Sequence, residues 1–174
     1  MHETARMALA ELNSASDEAF VAALEGIWEH SPWVAGAVVT DRPFASLDAL
    51  AGRMWLAVTE AGEARQLALL CAHPDLAGKL ALAGELTPDS TREQASAGLD
   101  RLTPSELAAF QEWNARYRER MGFPFIICVR EHTKNSIRAA LRVRLLQPPL
   151  VELEVALAEV RKIAEYRLRD RITE

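Results

Sequence analysis

Along most of this chain, apolar residues recur three and four positions apart, which places them on one face of an α-helix. A short helix is expected from Ala5 to Leu12, followed by a second one capped by Ser14 or Ser16 and carrying Phe20, Val21, Leu24 and Ile27. Pro32 cannot continue that helix, so Trp28 and Trp33 bracket a packed corner, and Val34 to Arg42 leads on to Pro43-Phe44. Ser46 caps a helix running toward Glu60, with Leu47, Leu50, Met54 and Val58 inward. Beyond Gly62, the segment Glu63 to Ala72 turns Leu67, Leu70 and Cys71 to the core. Thr103-Pro104-Ser105-Glu106 is a capping box with Pro at the first helical position, and Leu107, Phe110, Asn114, Tyr117 and Met121 follow on one face. Lys134 to Leu145 reads as a helix with exposed arginines. After Pro148-Pro149 the stripe Leu150, Leu153, Leu157, Val160 and Ala164 predicts a long last helix. No repeat or linker divides the chain. The pattern predicts an all-α, multi-helix fold in a single domain, residues 1–174.

One stretch breaks the period. Gly122-Phe123-Pro124-Phe125-Ile126-Ile127-Cys128-Val129-Arg130 is nearly continuous in β-favouring apolar residues and is entered through Gly and Pro. Gly122 can stop the preceding helix at positive φ, and Pro124 holds Phe123 extended. A short, buried, non-helical run has backbone N–H and C=O groups that no helix satisfies. Neighbouring helices or a polar ligand can supply the partners.

Charge and composition narrow the classes of function. A net charge of −5 and a pI near 5.5 argue against nucleic-acid binding, which needs a basic footprint. No apolar run approaches the ~20 residues that cross a bilayer, and Met1-His2-Glu3-Thr4 does not begin a signal peptide. The expectation is a soluble cytoplasmic protein without a membrane partner. Cys71 and Cys128 both sit in apolar runs and read as buried small hydrophobes, not as a disulfide or metal ligands.

Candidate chemistry comes from a few polar residues. His73, held extended before Pro74, is a side chain suited to acid/base work near neutral pH, although a helix junction also explains it. Ser90 and Glu93 have capping-box spacing, so a cap and a ligand-binding helix terminus predict the same residues. Asn114 on an apolar face needs a partner. The last helical stripe extends to Arg167, which either snorkels outward or pairs with a buried group.

Taken together and in order, His73-Pro74-Asp75-Leu76, Ser90-Thr91-Arg92-Glu93-Gln94-Ala95 through Asp100, Asn114-x-x-Tyr117 and Gly122-Phe-Pro-Phe-Ile-Ile resemble the ureidoimidazoline decarboxylase family of uric-acid breakdown. Ser31 to Val34, Arg42-Pro43-Phe44 and Arg161 to Leu168 fit it as well. The resemblance implies an all-helical enzyme, often a homodimer, that uses no metal or organic cofactor. Its small-molecule substrate would be 2-oxo-4-hydroxy-4-carboxy-5-ureidoimidazoline (OHCU), decarboxylated to (S)-allantoin. It implies His73 as acid/base and Glu93 as its carboxylate partner or a substrate ligand. Pro74, Ser90, Thr91, Arg92, Gln94 and the backbone of Phe125, Ile126, Ile127, Cys128 and Val129 would bind substrate. Arg167 would close the pocket on the substrate or on Glu93. Cys128, Glu131 and Ile137-Arg138 depart from the family pattern, and Glu131 would weaken anion binding if it pointed inward. The rivals are a non-catalytic helical interaction module and a lyase for a related ureido or imidazolone compound.

Overall fold

The computed structural model describes residues 6–174 and resolves them into two compact units, one of residues up to Leu69 with Arg161–Glu174, the other Leu70–Val160. The helix expected from Ala5 begins within the described residues at Leu9; Ala5 itself, like Met1 to Thr4, lies outside them.

The first unit holds β1 (Met7–Ala8), α1 (Leu9–Ser14), α2 (Asp17–Ala23), α3 (Trp33–Val38) with a 3-10 turn at Val39–Asp41, α4 (Leu47–Glu60) and most of α5 (Glu63–Cys71). The C-terminal part of α10 (Pro149–Arg171) and β2 (Ile172–Thr173) complete it. The two strands are two residues each and pair in parallel, Met7 opposite Ile172 and Ala8 opposite Thr173. They tie the termini together without adding a sheet layer, and the unit is helical as the period predicts. The caps fall where expected: Ser16 accepts from Ala19 N–H (3.2 Å) and Ser46 from Ala49 N–H (3.1 Å). Helix α2 is shorter than its apolar period, yet Leu24 and Ile27 remain buried in the turn that follows. Phe20 stacks on Phe44 at 6.2 Å, and Trp28 is buried at the corner before Pro32. On α5, Leu69 and Leu70 are buried, whereas Leu67 is only partly so and Cys71 is exposed, which corrects the reading of Cys71 as a core residue.

Arg167 does not snorkel. Its side chain is 3% exposed and its Nη1 donates to Glu29 Oε2 (2.5 Å) and to the Gly26 carbonyl (2.9 Å). Of the two alternatives the stripe left open, the inward one holds, and Glu29, itself 2% exposed, is the carboxylate it meets. Lys cannot reproduce this two-acceptor fork. Arg167→Lys should therefore cost about 1 kcal/mol or more, a drop of ~2–4 °C in thermal midpoint; an unchanged midpoint would make the pair energetically idle.

The second unit contains α6 (Lys79–Ala83), α7 (Pro88–Ser96), α8 (Pro104–Met121), a 3-10 turn at Val129–Glu131, α9 (Lys134–Arg144) and the start of α10. Thr103 and Glu106 form the predicted capping box, each bonding the other's backbone N–H. Phe110, Asn114, Tyr117 and Met121 are buried along α8, and Gly122 ends it at φ 82°. Only glycine takes that conformation without strain. The stretch Phe123 to Cys128 is non-helical, Val129 opens the 3-10 turn, and all seven residues are buried.

Two expectations fail here, for one reason. Leu150 is 76% exposed instead of heading the α10 stripe, and Arg144 is not among the exposed arginines, its side chain being 11% exposed. The buried α10 residue in that first turn is Glu152, fully enclosed. It accepts from Tyr117 Oη and from Arg144 Nε (2.6 Å), so a polar network occupies the space that an apolar stripe would have filled. Among the described residues, no helix is long and apolar enough to cross a membrane.

Candidate active site

His73 follows α5 in a tight loop, and its backbone N–H donates to Leu70 O (3.1 Å). Three contacts fix this loop within the second unit. Asn114 Nδ2 donates to Leu76 O (2.8 Å), which answers the search for a partner on the apolar face of α8. The Gln94 side chain accepts from Ala77 N–H (3.0 Å), and Arg118 pairs with Asp75 (3.0 Å). Ala77 sits at φ 50°, a strained position for a residue with a Cβ. Such strain persists only where neighbours over-determine the backbone, as Gln94 and Asn114 do here. Gly78 is sterically required: a Cβ there would lie 2.7 Å from that of Asp75.

The His73 ring is buried (6% exposed) and lines a cavity of about 650 Å³ together with Pro74, Asp75, Lys79, Asn114 and Arg118. Asn114 Oδ1 has no hydrogen-bond partner and is shut off from bulk solvent. The cavity thus offers an imidazole and two cations, one of them already paired with Asp75, a set suited to a small anion.

Helix α7 supplies the second group of residues, and its start corrects the sequence reading. The N-cap is Thr87, which accepts from Ser90 N–H (3.3 Å), with Pro88 at the first helical position. Ser90 is therefore the third helical residue, its N–H taken by the cap, and Glu93 is a turn further on and is not explained by capping. The signal was present: Thr87-Pro88 repeats the Thr103-Pro104 start of α8. Ser90 and Gln94 are buried and Glu93 is partly exposed. Thr91 and Arg92 face solvent; the Thr91 hydroxyl donates to Thr87 O (3.0 Å) and Arg92 pairs with Asp89.

The non-helical stretch runs into the Val129–Glu131 turn, which packs against α7. Burial, and then the carboxylates of Glu131, Glu159 and Glu93, push the Cys128 thiol up to about 11. Glu93 is thus near enough to Cys128 for its charge to be felt. Glu131 itself is exposed, and Cys128 is wholly enclosed. In an unfolded chain this thiol would ionise from about 9.0, so stability should fall as pH rises from 9 toward 11 and be insensitive to this group below that range. Alkylation at pH 8 should label Cys71 alone until denaturant is added; rapid labelling of both thiols in the native protein would contradict the burial.

A family model for OHCU decarboxylase matches residues 13–169. The chain belongs to the OHCU decarboxylase family. It is 43% identical over 173 residues to a 2-oxo-4-hydroxy-4-carboxy-5-ureidoimidazoline decarboxylase of Haloferax volcanii, covering 99% of each chain. It is 38% identical to the mouse (Mus musculus) protein of the same name, covering 94% of this chain and 92% of that one. Among solved structures, an (S)-allantoin synthase superimposes with a TM-score of 0.78 at 35% identity, over 96% of this chain and 54% of that longer one. An OHCU decarboxylase in the presence of (S)-allantoin superimposes with a TM-score of 0.67 at 28% identity, over 88% and 96% of the two chains.

For this member of the OHCU decarboxylase family, sequence reasoning missed three charged residues around the buried stretch, Arg144, Glu152 and Glu159. Arg144 Nη1 donates to Ile126 O (2.7 Å), and Glu159 Oε2 accepts from Cys128 N–H (2.7 Å). Arg144 also lies over the Phe125 ring (4.5 Å) and bonds Glu152, which accepts from Tyr117. The Tyr117 ring meets Phe125 edge-on at 5.3 Å, and burial followed by the bond to Glu152 drives its phenol far above the usual range. The helical spacing of Arg144, Glu152 and Glu159 gave no hint, because each looked like an ordinary solvated charge.

Proposed function

We propose that the protein decarboxylates OHCU to (S)-allantoin in urate degradation, with His73 moving the proton. Family membership along 13–169 is the observation that carries the reaction, and it spans both units, so we read 1–174 as one functional domain. Cleavage of the bond to the carboxylate releases CO2 and sends its electron pair into the adjacent ring C=N. The substrate thus contains its own electron sink. What remains is to hold the carboxylate and to manage three protons: one leaves the ring hydroxyl as its oxygen becomes a carbonyl, one goes to the ring nitrogen that receives the electron pair, and one is delivered to a single face of the neighbouring carbon, a net uptake of one.

The buried His73 beside a cavity with Lys79 and Arg118 suits this work. Glu93, no longer accounted for as a cap, is assigned as the carboxylate that orients His73 or binds the ureido group. Ser90, Gln94 and the Phe125–Val129 backbone would hold the heterocycle, with Gln94 also bracing the His73 loop through Ala77. Glu93→Gln should fold with a near-native melting curve and lose about 10²-fold or more in CO2 release. Wild-type turnover in that variant would remove Glu93 from the site. Two free thiols suit a reducing cytoplasm, and exposed Val143, Leu146, Leu150 and Val151 offer an apolar face for a homodimer, which sedimentation would detect as twice the chain mass.

A further inference from the structure

We propose that Arg144 and Glu159 are positioning residues that set the two peptide planes flanking Ile127, so that its N–H and C=O form a fixed donor–acceptor pair for the substrate's urea-like edge. The inference rests on the decarboxylase reading above and adds residues that do not themselves touch substrate.

A trans peptide directs its C=O and N–H to opposite sides. Arg144 takes the Ile126 carbonyl at 2.7 Å, which turns the N–H of Ile127, in the same plane, away from the guanidinium. Glu159 takes the Cys128 N–H at 2.7 Å, which turns the Ile127 carbonyl away from that carboxylate. The Cys128 amide is thereby engaged and the Ile127 groups are presented. Ile127 is buried at 4% exposure, and neither of its peptide groups bonds another described residue. Buried backbone groups almost always have partners, so this pair calls for a ligand. A urea or lactam edge, N–H beside C=O, is its complement.

The clamp is built to be stiff. Arg144 is itself held by Glu152 at 2.6 Å and lies on Phe125, while Tyr117 bonds the same Glu152 and packs against Phe125. Helices α9 and α10 thus each contribute one charged side chain to one short stretch of backbone. Because the hydrogen-bonded edge is remote from the breaking bond, misplacing it should weaken binding more than chemistry.

The test is steady-state kinetics of the full chain on OHCU generated freshly by urate oxidation. Glu159→Leu, which removes the acceptor, should raise KM between about tenfold and a hundredfold with kcat within about twofold. Glu159→Gln keeps an acceptor oxygen and should restore KM to near the wild-type value at an unchanged thermal midpoint. Glu159→Asp, which keeps the charge but withdraws the oxygens by one carbon, should raise KM as the Leu variant does and serves in its place if that variant does not fold. Wild-type KM in the Leu or Asp variant, or a Gln variant as impaired as they are, overturns the clamp. A wild-type enzyme inert toward OHCU would instead overturn the decarboxylase reading.

Discussion

Replacing His73 with Asn should leave the protein folded and reduce turnover of OHCU by about 10²–10⁴-fold, the usual worth of a positioned acid/base. Asn preserves a polar, planar side chain of smaller volume, and the loop keeps its anchors, since Leu70, Leu76 and Ala77 are bonded through backbone atoms to partners other than the ring. The thermal midpoint is therefore expected to stay within a few degrees. Exogenous imidazole at high concentration should restore part of the activity, because the cavity beside His73 has room for it at about 650 Å³. Wild-type rates in the Asn variant would exclude the ring from catalysis. A large loss of stability with proportionate loss of activity would make it a core histidine.

The largest effect on stability should come from Glu152→Ala. This carboxylate is fully buried and accepts from both Arg144 and Tyr117. Removing it takes the carboxylate from a guanidinium that is 11% exposed and from the buried Tyr117 phenol. Breaking a buried pair from one side costs ~3–5 kcal/mol, or on the order of 6–20 °C in midpoint for a chain of this size. Leu150→Ala is the control: the apolar pattern nominated Leu150 for the core, but at 76% exposure its loss should be nearly silent. Equal melting curves for the two variants would mean that the network is not holding the Phe125 segment.

What could be read in the sequence divides along physical lines. Helical period, Ser16 and Ser46 caps, the Thr103–Glu106 box, the Gly122 stop and the buried stretch after it are local signals, and the structure contains them all. The reading of α7 went astray because Ser90–Glu93 and Thr87–Pro88 are competing starts three residues apart, and proline at the first helical position favours the latter. Cys71 and Leu150 lie where an apolar period runs past the end of the packed surface. Arg144, Glu152 and Glu159 illegibly resembled solvated charges, since their partners are 8 to 35 positions away in the chain. Arg167 was legible as a residue on the α10 stripe, but its partner Glu29, 138 positions away, was not. For the site, His73 and Glu93 were nominated through an ordered set of motifs, not through period; the charged side chains bonded to the Ile126–Cys128 backbone had no motif to betray them.

The reaction itself is best tested by its stereochemistry. OHCU freshly formed from urate, mixed with the purified full chain, should be consumed faster than in buffer and give the circular dichroism of (S)-allantoin, with one CO2 released per substrate. Formation of racemic allantoin at the rate seen without protein would contradict the assignment.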